Sequence, residues 1–137
     1  MANQLYPKGR NKFALGDIHW KAVAGDTIKV SLVDLADYAF DVAHEFVDPS
    51  LPVAARVSTV TMTLIDPVGG VCDANDVTFP TVTGDQCEAL VIWKDTGLET
   101  TSPLLAFIDS ATGLPVTPNG GDITVTWDSG ANKIFKL

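Results

Sequence analysis

The stretch Arg56–Asp66, RVSTVTMTLID, decides the fold class. Thr59, Thr61 and Thr63 alternate with Val60, Met62 and Leu64, so one face of the segment is polar and the other apolar at a repeat of two. β-Branched side chains at this density lose rotamer freedom in a helix and pack well on a pleated surface. The segment is expected to be one continuous strand.

The same period continues on both sides. Upstream, in DTIKVSLVD, Ile28, Val30 and Leu32 alternate with Lys29 and Ser31, which predicts a half-buried strand. Downstream, Pro67–Gly70 reads as a turn, and VCDANDVTF as a short strand broken by its Asp/Asn cluster. Gln86–Lys94, QCEALVIWK, is a continuous apolar run of strand length, expected at the centre of a sheet with both faces covered. Pro103–Asp109 is a further strand, and the prolines and Asn119-Gly120-Gly121 of ATGLPVTPNGG make a loop. Ile123, Val125 and Trp127 alternate with Thr124 and Thr126, and Asp128-Ser129-Gly130 then reads as a hairpin turn into NKIFKL. Tyr38–Val47 fits neither period and is expected to be irregular.

Only Leu5–Gly16 carries a helical signal, with Pro7 in the first turn and Gly16 where a left-handed cap belongs. The expected architecture is all-β: a single-domain antiparallel β-sandwich of Greek-key or jelly-roll type with a short N-terminal helix. Residues 1–16 form an arm and residues 17–137 the sandwich.

Composition narrows the function classes. A chain of 137 residues with 46% hydrophobic and 19% charged residues has the means to bury a core and is unlike a disordered segment. Its longest apolar runs, Ala89–Trp93 and Leu104–Ile108, fall short of the ~20 residues a bilayer span requires. The N-terminus shows no apolar stretch of signal-peptide type, so the chain is expected to fold where it is made. A net charge of −8 argues against nucleic acid as a partner. Lys8, Arg10 and Lys12 stand as a short basic cluster ahead of an acidic body.

No chemistry-bearing motif emerges. Cys72 and Cys87 lack zinc-ligand spacing and are expected to be free and partly buried. His19 and His44 lie in no nucleophile or metal pattern and read as structural. Asp73, Asn75 and Asp76 could offer oxygens to calcium, but Asx-turn capping is the simpler use. Trp20, Trp93 and Trp127 raise a sugar-binding platform as an alternative, against a core role with Trp93 and Trp127 buried on facing strands. The expectation is therefore no catalytic residues, no metal and no cofactor.

Several segments resemble a family of small structural proteins encoded by tailed bacteriophages: LYPKGRNKFALGDI, DTIKVSLVD, AHEFV, DANDVTF, EALVIWKDTG and above all IDSATGLPVTPNGGDITVTWDSGANKIFKL. The resemblance implies a non-enzymatic virion component assembled in the host cytoplasm. The leading expectation is a capsid decoration (cement) protein on the outer lattice, with the major capsid protein or other virion proteins as partners. The alternatives are a tail tube, tip or adhesin component, and a carbohydrate-binding module. A homo-oligomer, trimer or dimer, is expected because sandwich edges need cover, with the strand ending at Leu137 as an edge marked by Lys133 and Lys136. The expected interface is the arm, with Lys8, Arg10 and Lys12 steering and Tyr6 and Phe13 anchoring.

Overall fold

The computed structural model describes residues 3–137, and these form a sandwich-like all-β fold of antiparallel sheets with short helical pieces. The strands are β1 (Gln4–Leu5), β2 (Ile28–Val33), β3 (Arg56–Thr61), β4 (Leu64–Val68) and β5 (Val71–Ala74). They continue with β6 (Val77–Phe79), β7 (Ala89–Lys94), β8 (Leu104–Ile108), β9 (Ile123–Val125) and β10 (Phe135–Lys136). The main sheet has the order β1-β8-β7-β2-β3; a second sheet runs β10-β5-β4, and β6 pairs with β9. No helix among the described residues is long and apolar enough to cross a membrane.

The continuous apolar run does occupy the middle: β7 lies between β8 and β2, and Ala89–Trp93 is buried on both faces. On one face Ile28, Val30, Leu32, Leu90 and Ile92 pack against Leu64, Cys72, Ala74 and Phe79 from the smaller sheets and Trp127 just after β9. On the other face Val33, Val91, Trp93 and Phe107 meet Tyr6, Tyr38, Val47, Leu51 and Ala55. The irregular stretch from Tyr38 is thus the second cover of the sheet. It threads past β8 through the bridge of Phe46 with Pro103, and it is apolar for that reason rather than for any helical or strand periodicity.

Four expectations need correction. Arg56–Asp66 is two strands in two sheets, not one: Met62 still donates its N–H to Ile28 O of the main sheet, whereas Thr63 O already accepts from Asn75 N. Met62 and Leu64 are nonetheless both buried and Thr61 and Thr63 both exposed. A period of two states which face is inside and says nothing about the pairing partner, so the change of sheet left no mark on the pattern. Asp128–Gly130 is no hairpin, because β9 pairs with β6 and β10 with β5; the Asp128 carboxylate accepts Gly130 N–H in a local turn that carries the chain between sheets. Trp93 and Trp127 are both buried, but on opposite faces of the main sheet rather than on facing strands. Finally, residue 16 is not a packing boundary. Gln4 and Leu5 pair with Phe107 and Ala106, so the N-terminal segment is a strand of the main sheet before it becomes a helix; residues 1 and 2 lie outside the described residues.

The strand ending at Leu137 is, as expected, at a sheet edge: β10 pairs only with β5.

Candidate docking groove

Helix α1 (Pro7–Ala14) begins where the sequence places it, with Pro7 at its first position behind the extended Tyr6. It ends at Gly16, whose φ of +80° lets Gly16 N and Asp17 N turn back to Phe13 O and Lys12 O. That reversal sends Ile18 and Trp20 inward, both nearly buried. The Trp20 indole N–H donates to Asp73 O at 2.9 Å. Phe135 then stands edge-on to both Trp20 (5.2 Å, 81°) and Phe13 (5.9 Å, 66°). Three aromatics from α1, the following loop and β10 thereby define one wall system, the geometry aromatic quadrupoles favour.

Between α1 and the edge of the smaller sheet lies an open groove of about 420 Å³. Phe13, Ile18, Trp20, Pro67 and Leu137 supply apolar lining, and Arg10 is its charged member. Leu15, Val68 and Leu137, next to or within this lining, are 72%, 80% and 41% exposed.

The five arm residues are thereby separated. Tyr6 is wholly buried, its hydroxyl 2.6 Å from that of Tyr38, which in turn reaches His44 Nδ1 at 2.9 Å. Lys8 and Lys12 turn to Glu45 at 3.7 and 3.4 Å, and Lys12 also sits 5.2 Å from the Phe46 ring centroid. These three residues bind the helix to the chain's own covering segment. Arg10 and Phe13 remain at the groove. Sequence reasoning missed Ile18, Trp20, Pro67 and Leu137, which come together only through the Gly16 reversal and the β4-β5-β10 sheet.

A second cleft, of about 550 Å³, opens between the main sheet and β9. Ile108, Ile123, Val125 and Trp127 line it, with Asn3, Asp128 and Lys133 also contributing. Asn3 braces that end: its Oδ1 accepts from Asp109 N and Ser110 N while its Nδ2 donates to Ser110 O.

The Asp/Asn cluster works as a structural junction. Asp73 Oδ1 accepts Ala74 N–H, Asp76 Oδ1 accepts Trp127 N–H, and Asn75 O accepts the Trp127 indole N–H at 3.0 Å. These contacts tie the end of β5 and the start of β6 to the segment that follows β9. Among the described residues the only trio of side chains close enough to share a metal is Asp34, Asp37 and Asp85. Asp34 Oδ1 there accepts Ala36 N–H, an ordinary Asx turn. Cys72 and Cys87 are free and buried, and burial pushes both thiols up to about 11. Neither is a poised nucleophile.

Searches against protein-family models and against curated proteins return no match to this chain.

Proposed function

We propose that this chain is a non-enzymatic structural protein of a tailed-bacteriophage virion, and specifically a decoration (cement) protein that binds the outer capsid lattice. The observation that carries the reading is the groove: an apolar surface with a guanidinium in its lining, standing on a rigid, otherwise acidic β-domain. Two hydrophobic cores cover both faces of the main sheet within the one chain, and the groove lies outside them at the edge of the smaller sheet. The resemblance of IDSATGLPVTPNGGDITVTWDSGANKIFKL to small phage structural proteins supplies the context. A lattice repeats one site many times, so a modest contact per copy sums to firm attachment.

The sugar-platform reading loses its stacking faces, because Trp20, Trp93 and Trp127 are 4%, 4% and 9% exposed. Stacking on a sugar requires an open ring face.

Copy number per particle tests the proposal. Quantitative mass spectrometry of purified virions should find this chain in hundreds of copies, and a density map should place it on the shell exterior. Six, twelve or a few tens of copies would assign it to the tail or a vertex, and its absence from virions would end the virion reading.

A further inference from the structure

We draw no further inference here: the strongest candidate, the cleft of about 550 Å³ between the main sheet and β9, is walled by the chain's own buried core at Leu32, Leu90 and Trp127, its charged members Asp128 and Lys133 already meet Gly130 N–H and the Asp73 carboxylate, and nothing in the structure shows what covers it.

Discussion

Trp93 donates its indole N–H to Ser31 Oγ at 3.0 Å across the β2–β7 pair, and Ser31 shares a 2.7 Å hydrogen bond with Thr59 on the next strand. A tryptophan thus sits at the middle of the main sheet with its polar atom satisfied, and Lys29 stands 5.7 Å from its ring centroid. Trp93→Ala removes a large buried ring and leaves a cavity, at a cost of roughly 3 to 5 kcal/mol. Tm should fall on the order of ten degrees. Trp93→Phe keeps most of the apolar area and should fall between. A Tm within a degree or two of wild type for Trp93→Ala would mean that the ring is not in the core.

Gly9 gives a substitution whose sign is opposite to that of helix propensity. In an exposed helix Gly→Ala gains about 1 kcal/mol. Here a Cβ at residue 9 would lie 2.1 Å from Leu104 O, a backbone atom of β8 that cannot swing aside. Gly9→Ala should therefore destabilise by about 1 to 3 kcal/mol through forced separation of α1 from β8. Asn11→Ala, at an exposed position of the same helix, should be neutral or slightly stabilising. Chemical denaturation of the pair decides it: equal stabilities would show that α1 does not lie on β8 as closely as described.

These two residues also mark what the sequence made legible. Trp93 stands in an apolar run whose length and lack of alternation point to a doubly covered strand, and it is one. Gly9 reads as a weak helix position, because the contact that requires glycine comes from a strand nearly a hundred residues away. The same limit explains the sheet assignments. Alternation placed Met62, Leu64, Ile123 and Val125 on inward faces, but which strand pairs with which depends on long-range packing. At the groove, Arg10 and Phe13 were legible as an amphipathic basic segment, whereas Trp20 read only as one of three tryptophans and Leu137 as the end of an edge strand. Burial separated Tyr6 from them, and Glu45 withdrew Lys8 and Lys12.

The Arg56–Glu99 pair predicts a small, pH-dependent contribution. Arg56 Nη1 and Nη2 donate to the two Glu99 oxygens at 2.6 and 3.0 Å, and this hydrogen bonding holds the Glu99 carboxyl below its usual range. A lowered folded-state value means that the stabilisation is present above the unfolded pKa, about 4.3, and is lost as pH falls through the folded value. Glu99 is 45% exposed, so solvent screening limits the pair to about 1 kcal/mol or less. Glu99→Gln should lower unfolding free energy by that amount at pH 7 and by nothing measurable near pH 2. An undiminished difference at the lower pH would place its origin in packing rather than charge.

The thiols should be unreactive until the protein opens. With both pushed up to about 11 by burial, roughly one thiol in a thousand is thiolate at pH 8, and access to Cys72 and Cys87 is blocked besides. Iodoacetamide should label neither residue in native buffer over the time in which it labels both in urea. Native labelling of Cys72 alone would show that the groove it lines opens readily.

Tyr6 and Tyr38 form an asymmetric pair, and their hydroxyls should report it. Burial pushes the Tyr6 phenol far above its ordinary value and Tyr38 up to about 12, so both are neutral at working pH. Tyr6 is fully buried, and among the described residues its hydroxyl has one partner, Tyr38; Tyr38 has two, Tyr6 and His44. Tyr6→Phe removes one hydrogen bond and leaves Tyr38 paired with His44, a loss of about 0.5 to 1.5 kcal/mol. Tyr38→Phe strands the Tyr6 hydroxyl in the core without an acceptor or donor, which costs about 1 to 3 kcal/mol. The double variant strands nothing, so it should be less destabilised than the sum of the two single changes, as expected for residues in direct contact. Urea unfolding of the four proteins closes the cycle. Additive effects, or a Tyr6→Phe loss as large as that of Tyr38→Phe, would show that the chain from Tyr6 through Tyr38 to His44 does not hold the N-terminal segment to its cover.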